Sequence, residues 1–405
     1  MKECLLKKDS KTDLEISVFQ SIDDLHKNHW ENVVQEKNIY LSLGYLEAIE
    51  KSLAQEITFR YLIFYKEQKG QSMPVAVAVV QFLAFIDKDF KEQEQLCRVR
   101  TKVKNSIIAS SGIYVMSCGS PFACGENGFM FTKALTEKEA FKNLARGLIK
   151  IQKQERKTIK APVLLLKEFW PESTAASDVL KSDGFKDFMI DVNMVMKIHK
   201  DWKIFDDYLF SMVTKFRTKA KSAFKKSADI NVVAFQVADI IANKKSIEKL
   251  YRSVVEKSAF TFGALNGEAF VLLKENLKEN FIIKGYFLKN ELVGFSTAVI
   301  SNAFADANYV GIDYSLNQEY ALYQRMLYDY VELAINAKCK ELRFGRTAEE
   351  IKSTVGAEPV NMKLYIRHQS SIKNSLLKPV FGSITPSPFE QRNPFKTDYQ
   401  KIALK

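Results

Sequence analysis

The spacing of apolar and polar positions predicts an ordered series of strands and helices in the second half of the chain. Residues 281–300 alternate around a polar turn and predict a β-hairpin, and a third strand is predicted over 307–314. Apolar positions three and four residues apart then predict a helix over 320–337, and a strand follows at 340–346. A strand, a helix and a further strand form a crossover unit, which normally places its two strands in parallel.

The first half of the chain repeats this order of elements. Its hairpin is predicted over 58–85, its long helix over 136–153 and its next strand over 161–166. Each half then ends with a short helix, a glycine turn and a final strand, at 191–198 and at 360–367. A repeat length of about 200 residues indicates a duplicated domain rather than a solenoid. We therefore predict an α/β (α+β) protein of two domains, each a mixed twisted sheet flanked by helices. The predicted boundaries are 12–200 for the N-terminal domain, 201–370 for the C-terminal domain and 371–405 for an extension.

Composition and charge narrow the class of protein and its partners. The chain of 405 residues is 46% hydrophobic and 27% charged, which is typical of a globular protein and not of a disordered or fibrous one. Its net charge of +12 predicts an anionic partner, such as a cofactor phosphate, a nucleic acid or an anionic membrane surface. A helix predicted over 202–226 ends in six cations without an intervening acid, among them Lys215 and Arg217. These charges are spread around the helix, so a solvated face is the alternative to a binding surface.

The cysteine and histidine content and the hydropathy of the chain argue against a metal-binding, a disulfide-bonded or a membrane-spanning protein. Five cysteines and four histidines stand without the spacing of a metal site, so we predict no metal and a reducing compartment. The N-terminus has no apolar signal core, and the longest mostly apolar run, 73–86, is too short to span a bilayer. The predicted location is cytoplasmic or peripheral to the inner membrane.

Candidate catalytic residues lie where the strand over 307–314 meets the following helix. Ligands in open α/β sheets bind at the carboxyl ends of strands, beside the start of the next helix. A carboxylate can take a proton from a reacting group, and a tyrosine can donate a proton or a hydrogen bond to developing negative charge. Asp313 and Tyr314 are the first pair for these roles, and Tyr309 shares a strand face with Asp313. The structural alternatives are a capping role for Asp313 and a core position for Tyr309.

Further polar residues are predicted to bind the substrate or the donor around the same cleft. Arg346 ends a strand and Lys352 lies on the next helix, so together they are candidates for holding a phosphate or carboxylate. Tyr323 and Gln324 lie in the first turn of the long helix, and Lys215 and Arg217 are candidates for contacts with the donor. Residues 118–128 of the first half are glycine-rich and form either a phosphate cradle or a tight connection.

This order of elements resembles the GNAT superfamily of N-acetyltransferases. The pair Gly184-Phe185 ahead of the closing strand is similar to the GNAT ending. Two such domains in tandem resemble the Fem family of peptidoglycan aminoacyltransferases and the related BioF-like acyltransferase group. In the second half, the basic helix, Gly294-Phe295, Gly311 and Phe344-Gly345-Arg346 match that group. One segment departs from the superfamily pattern, because residues 317–325 contain no glycine where ordinary GNATs have a glycine loop for the pyrophosphate of the cofactor.

The resemblance implies an N-acyltransferase with its chemistry in the second domain and a primary amine as acceptor. The donor would be an acyl-thioester, either acyl-CoA or an acyl carrier protein, and the acceptor a small, lipid or sphingoid amine. The first alternative is a Fem-like transferase that uses aminoacyl-tRNA and acts on a peptidoglycan precursor. The charged segment 87–106 is short for the helical arm that assists tRNA binding in some Fem proteins, so no specific nucleic acid is favoured. The second alternative is a non-catalytic binding protein with a decayed acyltransferase fold.

Overall fold

The computed structural model describes residues 3–6, 14–84, 114–189, 192–257, 263–301, 303–381 and 388–400. The charged segment 87–106 and part of the strand predicted to follow it lie outside the described residues. The strands of the described chain are β1 Glu3–Leu6, β2 Glu15–Phe19, β3 Ile57–Gln68, β4 Gln71–Ala84, β5 Tyr114–Cys118, β6 Phe129–Phe131, β7 Val163–Phe169, β8 Lys186–Phe188, β9 Val192–Lys197, β10 Asn231–Ala234, β11 Phe281–Leu288, β12 Glu291–Ile300, β13 Phe304–Ile312, β14 Glu341–Gly345, β15 Glu358–Asn361 and β16 Lys363–His368.

The helices flank the strands in the predicted order. They are α1 Lys27–Val34, α2 Leu43–Leu53, α3 Glu137–Glu155, α4 Thr174–Ser177, α5 Phe205–Ser211, α6 Thr214–Lys226, α7 Val237–Val255, α8 Gly267–Leu277, α9 Tyr314–Tyr320, α10 Leu322–Asn336, α11 Glu349–Ser353, α12 Ser371–Ser375, α13 Leu377–Phe381 and α14 Thr397–Gln400. None of the helices in the described ranges is long and apolar enough to cross a bilayer.

Two compact units each contain one mixed sheet. The first sheet has the order β1-β2-β3-β4-β5-β7-β16-β8, with β6 paired to β4, and the second has the order β10-β11-β12-β13-β14-β9-β15. In both sheets the hairpin is followed by two parallel strands, β5 with β7 and β13 with β14. The predicted duplication is therefore present in the fold, since equivalent strands occupy equivalent places in the two sheets.

The final strands of the two halves are exchanged between the sheets. β9 follows the first half in sequence but pairs with β14, and β16 follows the second half but pairs with β7 and β8. The compact units accordingly change at residues 190/191 and 360/361 instead of at the predicted residue 200. The alternation of apolar and polar residues within a strand gives its faces but not its partner, so the pattern of the chain does not reveal which sheet each final strand joins.

Asp178 holds the exchanged strand β16 within the first unit. Its Oδ1 accepts hydrogen bonds from Lys363 Nζ at 2.9 Å and from the Tyr365 hydroxyl at 2.8 Å. Burial alone would raise the pKa of Asp178, but the hydrogen bonds from Lys363, Tyr365 and Lys181 outweigh it and lower the pKa to about 2. The carboxylate form of Asp178 is therefore part of what fixes β16 in this sheet.

The helix predicted over 202–226 is two helices, α5 and α6. Met212 and Val213 between them are extended, with ψ of 148° and 153°. Met212 forms a β-bridge with Phe395, and Val213 N–H donates to the Pro394 carbonyl at 2.9 Å. Residues 394 and 395 thus supply the backbone partners that interrupt the helix. The predicted extension 371–405 is divided between the units, because residues up to 386 group with the first unit and those from 387 group with the second.

Candidate functional site

An opening between β13 and β14 is the main feature of the second unit. These parallel strands pair over only three positions, Phe304 with Glu341, Ala305 with Leu342 and Asp306 with Arg343. On its other side β14 pairs with β9 along its whole length, whereas β13 continues to Ile312 along β12. The edge of β13 that faces β14 therefore has no strand partner over its last six residues within the described ranges. Parallel strands that separate in this way leave room for a ligand at their carboxyl ends.

A β-bulge in β12 and β13 lies beside this opening. The register shifts between Ser296 and Ala298, and side chains replace the missing ladder bonds. Thr297 Oγ1 accepts from Tyr309 N–H at 2.9 Å, and Asn308 Oδ1 accepts from Val299 N–H at 3.1 Å. Bulges frequently occur next to active sites, because they bend a strand away from its neighbour.

The equivalent place in the first unit is closed. β5 and β7 pair up to Cys118 and Leu166, where β5 ends. The ammonium of Lys167, which is buried, donates to the carbonyls of Ser120 and Ala123 at 2.8 and 2.9 Å. The glycine-rich residues 118–128 therefore form a tight connection and not a phosphate cradle. A Cβ at Gly128 would lie 2.2 Å from the Gly119 nitrogen, which requires glycine there.

Left-handed backbone conformations border the opening in the second unit on both sides. α10 begins after Ala321 at φ 50°, and the turn that follows β14 has Gly345 at φ 72°, Thr347 at φ 63° and Ala348 at φ 53°. This conformation costs energy for residues with a Cβ and most for a β-branched residue such as threonine. Strained residues of this kind concentrate at functional sites.

Lys352 stabilises the turn after β14. It is 4% exposed, and its ammonium donates to the carbonyls of Arg346 at 2.6 Å and Gly345 at 3.4 Å. These bonds direct the charge of Lys352 to the backbone, so the structure differs from the predicted role of Lys352 as an anion ligand. Arg346 lies half-buried in the same turn, and Gln324 lies half-buried in the first turn of α10.

Two tyrosines and a glutamate come together at the ends of β13 and β14. Burial raises the pKa of the Tyr323 phenol well above its usual value, and the nearby Tyr314 and Glu349 raise it further. Burial also raises the pKa of Tyr314, and Lys257 Nζ lies 3.4 Å from the centre of its ring. Both phenols are therefore protonated at neutral pH and can donate hydrogen bonds. Glu349 was missed from the sequence, although an acidic residue at a helix start just after a strand end was a usable signal.

Asp313 and Asn317 both bond to backbone amides near the helix starts. Asp313 caps α9, since its Oδ1 accepts from Ser315 N–H at 2.9 Å and from the Ser315 hydroxyl at 2.6 Å. Its Oδ2 has no partner in the described part of the chain, so one carboxylate oxygen remains available. Asn317 Oδ1 accepts from the backbone N–H of Tyr323 in the first turn of α10 at 2.9 Å. A side chain of this protein thus occupies an amide that would otherwise be available to an anion.

Tyr309 lies in the aromatic core and not in the opening. It is 8% exposed, and its ring contacts Tyr251 and Phe270 edge-on at centroid distances of 5.9 and 5.8 Å. These contacts place Tyr309 in the layer formed by α7 and α8. Tyr309 thus has the core position that was the alternative to a catalytic role in the sequence analysis. We assign Tyr309 no part in the proposed chemistry.

A buried polar network on α10 was not predicted from the sequence. Asp329 is 4% exposed and accepts hydrogen bonds from the Tyr286 hydroxyl at 2.8 Å and from Arg325 Nε at 2.9 Å. Arg325 also donates to Ser227 Oγ at 3.2 Å and lies over the Phe224 ring. An aspartate within the apolar stripe of a helix was the available signal, because carboxylates are seldom buried without partners. The network fixes α10 against the sheet and against the end of α6.

The basic helix α6 packs against α9 and α10. Lys215 is exposed and Arg217 is half-buried on this helix, and their contacts in the described part of the chain are with Phe216 and Thr214 of the same helix. Among the described residues, no group of histidine, cysteine, aspartate and glutamate side chains is arranged to hold a metal ion.

Comparisons with known proteins identify the fold. No model of a known protein family and no curated protein sequence matches the chain. The crystal structure of FemX aligns with 90% of this chain and 99% of its own, at a TM-score of 0.51 and 12% identity. A tandem GNAT protein from the clavulanic acid biosynthesis pathway aligns with 88% of this chain and 99% of its own, at a TM-score of 0.48 and 10% identity. The C-terminal domain of a putative lysylphosphatidylglycerol synthetase from Agrobacterium fabrum aligns with 76% of this chain and 85% of its own, at a TM-score of 0.44 and 7% identity. The predicted tandem GNAT, Fem-like fold is confirmed.

Proposed function

We propose that this tandem GNAT-fold chain is an N-acyltransferase that transfers an acyl group from a thioester to a primary amine. The observation that carries the proposal is the opening between β13 and β14 in the second unit, where the two strands separate after three paired positions. The equivalent strands of the first unit, β5 and β7, stay paired to the end of β5, which supports a single reaction centre in the second unit.

The shape of the opening suits an extended donor that contains amides. A phosphopantetheine arm carries two amide groups, and an extended amide chain can bind to a free strand edge as a peptide does when it adds to a sheet. The stretch of β13 beyond its pairing with β14, residues 307–312, is about 20 Å long at roughly 3.3 Å per residue, which is long enough for such an arm. Both CoA and acyl carrier proteins present this arm, so the edge by itself accepts either donor.

Asp313, Tyr314 and Tyr323 are proposed to act on the reacting groups. The amine nitrogen attacks the thioester carbonyl carbon, an N–C bond forms and the C–S bond breaks. The proton lost by the amine passes to the free Oδ2 of Asp313, and a phenol of Tyr314 or Tyr323 protonates the departing thiolate. The products are an amide and a free thiol. Before the C–S bond breaks, the same phenols donate to the developing oxyanion.

The acceptor is proposed to be a small or lipid amine, including a sphingoid amine. The positive charge around α6 and the absence of a spanning helix in the described ranges fit a substrate that is taken from a membrane surface. A soluble amine would use the same chemistry, so the acceptor is a matter for direct measurement.

Acyl transfer from acyl-CoA and from acyl-pantetheine to a panel of amines tests the proposal, with release of free thiol as the readout. Asp313→Asn keeps the cap and removes the base, so kcat should fall by about 10²- to 10⁴-fold. Asp239→Asn is the matched control, since Asp239 accepts from Gln236 N–H at 2.8 Å at the start of α7. Equal turnover in Asp313→Asn and Asp239→Asn would remove Asp313 from the mechanism. If no thiol is released with any amine, the acyl-thioester proposal itself is wrong.

A second candidate is transfer of an aminoacyl group from tRNA, as in the Fem alternative. The Asn317 contact with the Tyr323 amide favours a donor that does not place a pyrophosphate at the start of α10, which an aminoacyl ester satisfies. Transfer of a radiolabelled amino acid from charged tRNA to a peptidoglycan precursor distinguishes the two reactions. A chain that binds neither thioesters nor charged tRNA would fit the remaining alternative, a binding protein with a decayed acyltransferase fold.

A further inference from the structure

The α5–α6 hairpin, residues 205–226, has an unusual concentration of unpaired positive charge. Helix α6 has six basic residues among its thirteen and no acidic residue. Its buried seam consists of Phe216, Ala220 and Ala223. At about 100° per residue, the cations form two rows on either side of that seam. One row is Lys215, Lys219 and Lys226, and the other is Arg217, Lys221 and Lys225. No ion pair joins any of them to a carboxylate in the described part of the chain.

Large apolar side chains are exposed on the same hairpin. Ile204, which immediately precedes α5, is 56% exposed, and Phe210 near its end is 65% exposed. The rings of Phe205 and Phe224 contact each other with centroids 5.5 Å apart, so the start of α5 lies beside the end of α6. The two exposed apolar side chains therefore lie towards opposite ends of a cationic hairpin. Lys396 Nζ, 3.9 Å from the Phe210 ring centre, adds a further cation there.

We propose that the α5–α6 hairpin docks the protein on an anionic lipid bilayer. Cations over the whole exposed half of α6 suit a surface of many mobile phosphate headgroups, while Ile204 and Phe210 enter the boundary between headgroups and acyl chains. Helix α6 also packs against α9 and α10, so this docking holds the β13–β14 opening close to the lipid surface.

The same observations favour lipid over RNA. Single-stranded nucleic acid binds where exposed aromatic rings interleave with cations and stack on the bases. The aromatic residues of α6 are Phe216, which is buried, and Phe224, which is half-buried against Arg325 and Tyr328. Neither presents a free ring face, and Ile204 cannot stack on a base. Phe210 on α5 is the exposed ring of the hairpin, but Lys396 Nζ lies 3.9 Å from its centre and so covers one face. An RNA or an acidic protein on this surface is therefore an outcome that would count against the proposal.

Vesicle flotation of the full chain tests the docking without any need for acyl transfer. The chain should float with phosphatidylcholine vesicles that contain phosphatidylglycerol, float much less with phosphatidylcholine alone, and be released by high salt. Neutralising Lys219, Lys221 and Lys225 to glutamine should lower the vesicle partition coefficient about 100-fold, at a factor of about five per lysine. The matched control neutralises Lys142, Lys153 and Lys157, which are exposed in or beside α3 of the first unit and change the net charge equally.

Phe210→Ser tests the apolar contact separately. It should weaken vesicle binding and leave the thermal unfolding midpoint unchanged, because the side chain is mostly exposed. Ile372→Ser, at a residue 77% exposed in the first unit, is its control and should change neither quantity. The proposal is wrong if flotation does not depend on phosphatidylglycerol, or if the α6 variant floats as its control does. It is also wrong if the α6 cations retain tRNA or an acidic protein but not vesicles. Since the readout is binding, failure of the acyl-transfer proposal would leave this result standing.

Discussion

Gly311 on β13 is the position where one added methyl group should most clearly perturb the opening. It lies opposite Phe295 in the sheet, and a Cβ there would be 2.2 Å from Phe295 Cε1 and 2.8 Å from Leu250 Cβ on α7. Ordinary carbon–carbon contacts are about 3.5–4.0 Å, so Gly311→Ala requires the ring or the helix to move by about 1.3 Å. Phe295 is fully buried and its ring contacts Phe270 at 5.5 Å, so it has little room.

The expected loss is about 1–2 kcal/mol in the free energy of unfolding. Overpacking a dense core costs about 1–3 kcal/mol, and the reduced backbone freedom of alanine in the unfolded chain offsets about 0.4–1 kcal/mol. Gly294→Ala is the matched control on the adjacent strand. Its Cβ would meet the terminal methyl of Met326 at 2.7 Å and the Gly311 carbonyl oxygen at 3.2 Å. The end of a methionine moves easily and the carbonyl contact is less severe than those at Gly311, so we expect a loss below about 1 kcal/mol.

Urea unfolding, monitored by far-UV circular dichroism, measures the free energy of unfolding of both variants. The dependence of this free energy on urea concentration should be the same in the variants and in the unaltered chain. Because Asp313 is two residues from Gly311 on β13, Gly311→Ala should also reduce acyl transfer more than Gly294→Ala does. Equal stability of the two variants would refute the packing argument, since it would show that Phe295 and α7 give way without cost.

Two further predictions concern the exchanged strand and the donor. Hydrogen bonds lower the pKa of Asp178 to about 2, so its contribution to stability is fully present above the unfolded-state value near 3.9 and is lost as the pH falls towards 2. Thermal unfolding midpoints measured from pH 5 to pH 2 should fall less in Asp178→Asn than in the unaltered chain. The effect is reduced by solvent, because the side chain is 40% exposed, and parallel curves would contradict it. Asn317→Ala removes the acceptor of the Tyr323 amide, so it should lower the free energy of unfolding by about 1 kcal/mol. It should also tighten binding of acyl-CoA relative to acyl-pantetheine in calorimetry; an unchanged ratio would show that this amide does not restrict the donor.

Much of the site could be predicted from the residues at the ends of strands and helices. Asp313, Tyr314 and Tyr323 were placed at the carboxyl end of β13 and the start of the next helices, and the structure has them there. The roles of Tyr309 and Lys352 depended on which way a side chain points, which a period of two or 3.6 residues does not define at a bulge or a turn. Glu349 and Asn317 enter the site through contacts with residues 26 and six positions away, respectively, that only the folded backbone brings together.

The local pattern of apolar and polar residues was sufficient to predict the elements, their order and the duplication, because the periods of strands and helices repeat within ten to twenty residues. It was also sufficient to locate the edge of the sheet at which chemistry is proposed. Pairing between distant segments decided the rest. The exchange of β9 and β16 and the early separation of β13 from β14 depend on which edges meet. That choice is made by contacts between residues about 200 positions apart in sequence, which a period of two or 3.6 residues does not specify.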